Sequence, residues 1–460
     1  MAPFVNRTEE LEALASWWGR PKSRLCVVWG RRRVGKTALL QEFSKHERVV
    51  FHTGAGRPRS DELRMLARAT VSAVASPLRD LEARPFVDWD DAFESLAAAA
   101  TEPLLVVLDE FPELISSSPE LPGVLRAFLE RAGQATQLKV VLSGSAVRTM
   151  EAMLEQRAPL YGRTDLILQL HPFRPHEAAL MLPRLPPADR ALVWGLVGGV
   201  PLYLSWWNQD VSVKENLSRL VATAGGQLLT EGQLVLATEG DSGDLGSMVL
   251  RAIAGGRTRH GEIADAVRAE PARTLDRLID LRLVERLVPV TEDPRRSKRR
   301  VYRIADNFLA FWLGAVDRYR DQIERGLGRA VLTSLVAGLD DHMGPPWEEA
   351  VRLHLNRLAV DGELGEDVVA IGPWWSTDSS VEIDAVVLNG RERVATLVAE
   401  AKWARSVDAR RIEAGLRVKA EALPRVGTPP RLIVAARDQV KGATRGTLTI
   451  TSRDVFGRGP

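Results

Sequence analysis

Cysteine is nearly absent from this chain of 460 residues, and the one present, Cys26, lies in the apolar run Leu25–Val28. A single cysteine cannot form an intrachain disulfide, which excludes a disulfide-stapled scaffold and favours a reducing compartment. No apolar run reaches the roughly 18 residues of a membrane span, and the first residues lack the pattern of a signal peptide. We therefore expect a cytoplasmic protein without a membrane-spanning segment.

An excess of charge of one sign is also missing. The formal net charge is +2, which is too small to imply a nucleic-acid partner by itself, so basic patches must be sought locally. The sharpest one is the run Pro294–Arg300. The seven histidines show no ligand spacing with one another or with Cys26, which argues against a zinc site.

Residues 1–175 alternate short apolar runs with amphipathic segments. Four runs are continuous and rich in valine and leucine: Leu25–Trp29, Val49–His52, Leu104–Leu108 and Lys139–Leu142. Such runs are typical of a parallel sheet that helices cover on both faces. We therefore predict an α/β fold class with this parallel sheet in the first domain.

Four further segments follow. Residues 176–240 read as a helical lid, interrupted by the turn Gly198–Pro201, where glycine freedom and the fixed φ of proline end a helix. Residues 241–315 show three helical segments and then two strand-like runs, which is the order of a winged helix. A connector helix is predicted over 316–340. Residues 341–460 read as helix, three strands, helix and strand, which indicates a small α/β domain.

A phosphate-binding string, G-x-x-x-x-G-K-[ST], occupies Gly30–Thr37. The string follows a predicted strand and opens a predicted helix, so its backbone N–H groups can converge on phosphate oxygens. Lys36 is expected to reach the β- and γ-phosphates, and the Thr37 hydroxyl to ligate Mg²⁺. The predicted nucleotide contacts in and just after this loop are Gly30, Arg33, Val34, Gly35, Lys36, Thr37 and Ala38.

Two carboxylates end the apolar run that starts at Leu104. A sheet of this type presents its Walker B acid to the metal at such a strand end. Asp109 is predicted to hold Mg²⁺ through water, and Glu110 to orient or deprotonate the attacking water. The alternative is a surface turn after a core strand.

Hydroxyl groups end the next strand, Lys139–Leu142, which continues into Ser143-Gly144-Ser145. We predict Ser143 as a polar sensor of the γ-phosphate, although a strand-to-helix cap is an open alternative. Arg148, Arg157 and Arg163 follow, and one of them could neutralise charge in the transition state; Arg163 is preferred.

Several of these motifs together resemble the archaeal-type ATPases of the wider STAND and AAA-related group. The resemblance covers roughly residues 1–240 and is carried by Phe4–Arg7, the two Walker motifs, Tyr161–Arg163 and Gly198–Tyr203. It implies a P-loop NTPase that takes ATP, with Asn6, Arg7 and Pro201 near the adenine base. No Asn/Thr-Lys-x-Asp guanine motif is visible, which agrees with ATP over GTP.

In a winged-helix interpretation, Pro271–Leu283 is the recognition helix and Thr291–Arg300 the wing. Arginines of that helix can contact phosphates from a groove of duplex DNA, and the basic wing can reach the adjacent backbone. Two alternatives stay open at this point. The wing can be a solvated loop, or the module can pack on the ATPase as a regulatory arm.

Acids and a lysine cluster near the C-terminus. Strand alternation puts Glu400 and Lys402 on one face, and a hairpin turn at Asn389-Gly390 brings the strand with Asp384 alongside. Two carboxylates can bind Mg²⁺, and a lysine beside the metal can position the water that attacks a phosphodiester. Glu382, on the same strand face as Asp384, is open to another interpretation as an ion-pair partner of Lys402.

This arrangement resembles the PD-(D/E)XK nuclease superfamily, in the DUF234 form attached to archaeal-type ATPases. The resemblance implies a restriction-endonuclease-like fold over about residues 340–440. The upstream acid is assigned to Glu348 rather than Glu349, in Gly344-Pro345-Pro346-Trp347-Glu348. The implied Mg²⁺ ligands are Glu348, Asp384 and Glu400, with Lys402 as a catalytic residue.

The sequence therefore predicts an ATP-hydrolysing protein that regulates a fused Mg²⁺-dependent DNA nuclease. A rival hypothesis is an ATP-dependent switch or scaffold whose nuclease-like module is inactive and clamps DNA or protein. A third is a toxin-like or anti-phage system. Duplex DNA is the expected macromolecular partner, and homo-oligomerisation stays open.

Overall fold

The computed structural model describes residues 4–74, 79–132, 136–238 and 243–457. The chain divides into two compact units that meet in sequence at Pro172 and Phe173. This division lies close to the predicted end of the ATPase core at residue 175. The predicted boundary between residues 240 and 241 lies outside the described residues.

The first unit contains a five-stranded, fully parallel sheet in the order β2-β3-β4-β1-β5. Its strands are β1 (Leu25–Trp29), β2 (Val49–Thr53), β3 (Leu104–Asp109), β4 (Leu138–Gly144) and β5 (Leu166–Gln169). The first four match the predicted runs. The fifth, at the edge beside β1, was not predicted.

Helices cover both faces of this sheet, as the sequence predicts for strands that are apolar throughout. Leu25, Val27 and Trp29 of β1 pack into one apolar cluster, whereas Cys26 and Val28 pack into another. This alternation follows from the two-residue period of a strand. The helices of the unit are Thr8–Gly19, Lys36–Phe43, Arg59–Ala73, Trp89–Ala99, Phe111–Ser117, Leu121–Ala132 and Val147–Ala152.

The second unit begins with the helices Pro175–Met181, Pro187–Val197, Pro201–Trp206, Val213–Leu220 and Gln227–Thr238. The turn between the second and third of these has Gly198 at φ 68°. A Cβ on Gly199 would lie 1.8 Å from the Phe173 carbonyl oxygen, so only glycine fits this approach. The helical prediction for this region is correct over the described residues.

Three helices and an antiparallel strand pair come next, in the predicted order. The helices are Gly243–Ala254, His260–Val267 and Ala272–Asp280, and the strands are β6 (Val284–Leu287) and β7 (Val301–Ile304). The connector that follows is not one helix. It kinks at Gly326, whose φ of 87° is non-helical, before the helix Gly328–Ala337. Shorter helical turns from Asn307 to Leu327 precede that kink.

The C-terminal part is a mixed sheet in the order β14-β12-β10-β9-β8. Its elements are the helix Gly344–Val360, β8 (Val368–Trp375), β9 (Glu382–Asn389), β10 (Val394–Lys402), β12 (Val426–Ala436), β14 (Leu448–Ile450) and the helices Ala409–Glu421 and Ser452–Phe456. A separate parallel pair joins β11 (Ser406–Asp408) and β13 (Gln439–Lys441). The strands β8, β9 and β10 are antiparallel, and Gly390 has φ 68° in the predicted hairpin turn.

One large apolar cluster runs through the second unit from Phe173 to Phe456. The last helix contacts the helix Pro187–Val197, where the Arg190 guanidinium donates to the Phe456 carbonyl oxygen at 2.9 Å. Over the described ranges, every helix is too short or too polar to cross a membrane.

Candidate nucleotide site and C-terminal acidic site

The phosphate-binding loop follows β1 and ends at the helix Lys36–Phe43, as predicted. A Cβ on Gly30 would lie 2.4 Å from the Leu170 carbonyl oxygen, so the chain needs glycine there. Gly35 has φ 94° and caps the helix N-terminus, where unpaired N–H groups and the helix dipole favour an anion. This geometry can hold phosphate groups.

Lys36 lies at the base of the loop and is buried. Its Nζ donates to the carbonyl oxygens of Gly30 and Arg31, each at 3.0 Å. The Lys36 ammonium therefore lies within the loop where the phosphates of a nucleotide would bind.

Thr37 and Asp109 join the loop to the end of β3. The Thr37 hydroxyl donates to Asp109 Oδ2 at 2.7 Å, while Asp109 Oδ1 is buried and, among the described residues, has no hydrogen-bond partner. A buried carboxylate oxygen without a partner is costly unless something binds it. Because Mg²⁺ prefers hard oxygen ligands, Thr37 and Asp109 fit the metal that accompanies ATP.

Glu110 begins the next helix with a left-handed backbone, φ 48°. Its Oε2 accepts hydrogen bonds from the Ser145 hydroxyl at 2.8 Å and from the Ser145 N–H at 3.3 Å. Ser143 is fully buried inside β4, and its hydroxyl has no hydrogen-bond partner within the described part of the chain. The contact with the Walker B strand end is thus made by Ser145, not by the predicted sensor Ser143.

Arg7 lies below the loop rather than free in solution. Its guanidinium donates to the Val34 carbonyl oxygen at 3.0 Å and to the His171 carbonyl oxygen at 2.6 Å, and it pairs with Glu10 at 2.8 Å. Both Arg7 and the preceding Asn6 have positive φ, at 68° and 63°. Arg7 therefore supports the loop backbone, and the predicted adenine contact of Asn6 and Arg7 stays a prediction.

The described contacts of the loop include neither Arg163 nor Pro201, which were also predicted near the nucleotide. Arg163 is exposed and pairs with Glu130 at 2.8 Å, and no described contact brings its side chain to the loop. Pro201 opens a helix of the second unit. Their roles stay predictions. Arg33 has a left-handed φ of 70° within the loop, and Ala38 lies in the first helical turn.

The C-terminal sheet brings the predicted acids together. The pairing of β9 with β10 ends at Ala385 and Ala399, so Asp384 and Glu400 occupy the next positions. Asp384 Oδ2 accepts a hydrogen bond from the Ala401 N–H at 2.8 Å, and Lys402 Nζ lies 2.7 Å from Glu400 Oε1. The predicted shared face of Glu400 and Lys402 is present.

A second lysine at this site was not predicted. Lys419 Nζ donates to Glu400 Oε2 at 2.7 Å, so Lys402 and Lys419 each hold one oxygen of Glu400. Lys419 lies on the helix Ala409–Glu421, which packs on β10 and β12. Its sequence position has no motif spacing to Glu400, and only the packing of that helix brings it close.

The helix Gly344–Val360 contributes two adjacent glutamates with different contacts. Glu349 pairs with Arg352 at 3.0 Å and with Arg303 at 2.9 Å. Glu348 lies 3.8 Å from Arg352, whose Nη1 also donates to the Asp384 carbonyl oxygen at 2.8 Å. These contacts agree with the choice of Glu348 as the acid beside Asp384, because Glu349 is committed to two arginines.

Comparison with protein families gives two matches. The profile of an ATPase domain found predominantly in Archaea matches residues 4–206, and DUF234, which comprises archaeal and bacterial proteins of unknown function, matches residues 312–412. The chain is an archaeal-type ATPase with a DUF234 domain. ATP binding and an ATPase fold are therefore properties of its family.

Individual relatives agree with this assignment. The archaeal-type ATPase is 27% identical over 405 residues to the uncharacterised protein MJECL04 of Methanocaldococcus jannaschii, covering 87% of each chain. It is 48% identical over 46 residues to the uncharacterised ATP-binding protein MJ0423 of the same organism, covering 10% of this chain and 78% of that protein. Among solved structures, it resembles a Walker-type ATPase of Pyrococcus abyssi, with a TM-score of 0.52, 22% identity, and coverage of 67% of this chain and 96% of that one. The last likeness shows a shared fold.

Burial and like charges shift the acids of the DUF234 domain. Burial, and then the charge of Glu400, raise the pKa of Asp384 to about 6. Burial, and then the charge of Asp384, raise the pKa of Glu348 to about 7. Burial also acts on Glu400, but hydrogen bonds from Lys402 and Lys419 outweigh it and lower the pKa of that carboxyl. Such opposed shifts within one cluster are typical of functional sites.

The predicted Mg²⁺ ligands do not form a metal centre as they are arranged. Within the described residues, no group of three or more histidine, cysteine, aspartate or glutamate side chains could hold a metal ion. Both oxygens of Glu400 are instead bound by lysines. The predicted ligand set Glu348, Asp384 and Glu400 thus has suitable oxygen donors, but its arrangement does not fit a metal ion.

Proposed function

We propose that this archaeal-type ATPase uses Mg²⁺-bound ATP to regulate a C-terminal nucleic-acid-processing domain. The observation that carries the ATPase half is the 2.7 Å contact between Thr37 and Asp109, whose other oxygen, Oδ1, has no hydrogen-bond partner within the described residues. It supports Thr37 and Asp109 as the residues that hold Mg²⁺. The metal would supply charge neutralisation at the β- and γ-phosphates.

Each residue of the loop has a role in this proposal. The N–H groups from Gly30 to Thr37 bind the phosphates, and Lys36 exchanges a loop carbonyl for a phosphate oxygen. Glu110 orients or deprotonates the attacking water. Ser145 holds the Glu110 carboxylate at the strand end, so that the water meets an acceptor in a fixed position.

The C-terminal half of the proposal is a nuclease, supported by the buried acids Asp384 and Glu400 with Lys402 on adjacent strands. Burying carboxylates next to one another is costly, and clusters of acids with shifted pKa values are typical of functional sites. Cleavage in this proposal requires Glu400 to break its ion pair with Lys402 or Lys419, so that one of its oxygens becomes available. Duplex DNA is the proposed substrate.

A second candidate is a clamp that binds nucleic acid without cutting it. The observation that favours it is the occupation of both Glu400 oxygens by Lys402 and Lys419. In this case ATP governs binding, and the acids only position the lysines. Both candidate functions include the same ATPase, and they differ in the role of Glu400, which takes part in cleavage in the first and only positions the lysines in the second.

The test measures ATP hydrolysis by the full chain with Mg²⁺, with and without DNA. The proposal expects hydrolysis that depends on Mg²⁺ and changes when DNA is added. DNA binding and cleavage that ATP does not affect would refute the regulatory link while leaving the ATPase intact. DNA cleavage in the same reactions separates the nuclease from the clamp.

A further inference from the structure

A basic groove of about 490 Å³ lies within the second unit. Its walls are the wing residues Lys298–Tyr302, the start of the helix His260–Val267, and the turn between β8 and β9. We define the basic groove by Arg259, Lys298, Arg299, Arg300, Trp375 and Ser379. None of these residues belongs to the ATP site or to the acidic site.

One of the arginines has a structural task. Arg299 pairs with Glu292 through its Nε at 2.7 Å, and its Nη1 donates to the Trp375 carbonyl oxygen at 2.6 Å. It thus fixes the wing against the end of β8. Because Glu292 neutralises it, Arg299 shapes the groove more than it charges it.

Three other cations in the groove have no carboxylate partner among the described residues. Arg300 donates to the Ser297 carbonyl oxygen, Arg259 donates to the Ser379 hydroxyl, and Lys298 makes no hydrogen bond or ion pair in the described part of the chain. Like charges that line one concave surface repel one another and raise the local positive potential. The groove is therefore suited to a polyanion.

The groove lies beside the strand that carries Asp384. Its residue Trp375 is paired across the sheet with Glu382, which lies two residues before Asp384 on β9. At the usual rise of a strand, Glu382 and Asp384 are separated by roughly 7 Å. Duplex DNA rises by that distance in about two base pairs. A duplex bound in the groove would therefore extend to the neighbourhood of Asp384.

We infer that the basic groove binds the phosphate backbone of a nucleic acid through Arg259, Lys298 and Arg300. This inference rests on the proposed nucleic-acid function and assigns its binding surface. The binding surface is the side of the wing that faces the C-terminal domain, rather than the exposed tip at Arg295 and Arg296. The Thr377 and Ser379 hydroxyls at the rim can donate to phosphate oxygens as well.

The test is the affinity of the full chain for a labelled duplex oligonucleotide over a range of salt concentrations. The double variant Lys298→Ala/Arg300→Ala removes two groove cations. The matched control Arg295→Ala/Arg296→Ala removes the same charge from the wing tip, outside the groove. We expect the groove variant to weaken binding by roughly tenfold or more and to reduce the slope of log affinity against log salt by about 2, and the control to do neither.

A second variant tests whether a loss of DNA binding could be due to misfolding instead of to the groove. Thr377→Glu places an anion at the rim without removing any described contact, and we expect it to weaken binding as well; Thr377→Gln is its neutral control. Equal losses in the groove and tip pairs, or wild-type affinity in the groove pair, would overturn the inference. ATP hydrolysis measured on the same proteins without DNA is independent of this outcome. Binding through the groove without any cleavage would refute the nuclease and leave the inference standing.

Discussion

The Thr37 hydroxyl donates to Asp109 Oδ2 at 2.7 Å and so links the phosphate-binding loop to the end of β3. The contact joins residues that are 72 positions apart in sequence. It exists because β1 and β3 both end at the same edge of a parallel sheet, on either side of β4. We propose that the ATP-dependent chemistry of the chain takes place at this edge of the sheet.

Lys36→Ala should abolish ATP binding, because it removes the cation that compensates the β- and γ-phosphates. Arg32→Ala is the matched control, since Arg32 is an exposed cation of the same loop. We expect Arg32→Ala to bind ATP within about twofold of the wild type. Equilibrium binding of a fluorescent ATP analogue measures both. Equal losses in the two variants would show that general loop charge, not Lys36, binds the nucleotide.

Ser145→Ala should lower the kcat of ATP hydrolysis with little change in KM, because the Glu110 carboxylate loses the hydroxyl that positions it. A loss of about tenfold is expected, smaller than the 10²- to 10⁴-fold expected for Glu110→Gln. Ser145→Thr keeps a hydroxyl and should restore part of the rate.

Ser143→Ala is the control for this prediction. Its hydroxyl has no hydrogen-bond partner among the described residues, so the variant should hydrolyse ATP at the wild-type rate if Ser145 is the relevant serine. A large loss in Ser143→Ala, with Ser145→Ala unaffected, would instead restore Ser143 as the sensor.

Much of this fold is predictable from sequence for a physical reason. Strands buried on both faces read as unbroken Val/Leu runs, and four of the five strands in the first unit were found that way. The edge strand Leu166–Gln169 was missed because it is short and its Ile167 is exposed. The connector was predicted as one helix because its residues follow an amphipathic pattern, yet Gly326 adopts a positive φ.

The site residues also divide into those that the sequence predicts and those whose position depends on packing. Lys36, Thr37, Asp109 and Glu110 follow from a motif at a strand end, and Lys402 follows from alternation along one strand. Lys419 could not be found, because its contact depends on how a helix packs across the sheet. The sequence places both Ser143 and Ser145 at the end of β4, and only the structure shows that Ser145 contacts Glu110. The sensor role of Ser143 stays a prediction.

Glu348→Gln should stabilise the protein at high pH. Folding raises the pKa of Glu348 from 4.5 to about 7. Between these two pH values the folded protein keeps a proton on Glu348 that the unfolded chain has released. Stability therefore falls as the pH rises from 4.5 to about 7, and the full penalty remains above that range. Glutamine does not ionise and therefore removes this penalty. We expect the free energy of unfolding to increase by on the order of 2 kcal/mol at about pH 8 and to stay almost unchanged at about pH 4.

Glu349→Gln is the matched control, with the opposite sign. Burial acts to raise the pKa of Glu349, but Arg303 and Arg352 together outweigh it and lower that pKa. Its ionised form therefore stabilises the fold at neutral pH, and this contribution is lost as the pH falls. The variant should be less stable than the wild type at neutral pH. Thermal unfolding over a pH series measures both, and parallel curves for the two variants would contradict the assigned environments.

Glu400→Gln should separate the two candidate functions of the DUF234 domain. It removes the carboxylate charge but keeps the side-chain length, and it leaves the ATP site untouched. A nuclease loses cleavage in this variant and retains ATP hydrolysis. A clamp binds DNA in both forms and cuts in neither, which a gel assay of DNA integrity combined with the binding assay distinguishes.

Control of the C-terminal domain by the ATP site can be measured as DNA cleavage with Mg²⁺ in the presence and absence of ATP. The wild type, Lys36→Ala and Glu400→Gln should each be assayed on linear, circular and single-stranded DNA. We expect cleavage by the wild type that changes with ATP, cleavage by Lys36→Ala that ATP does not alter, and none by Glu400→Gln. Cleavage that responds to ATP equally in the wild type and in Lys36→Ala, or that persists in Glu400→Gln, would show that the ATP site does not control a nuclease at Glu400.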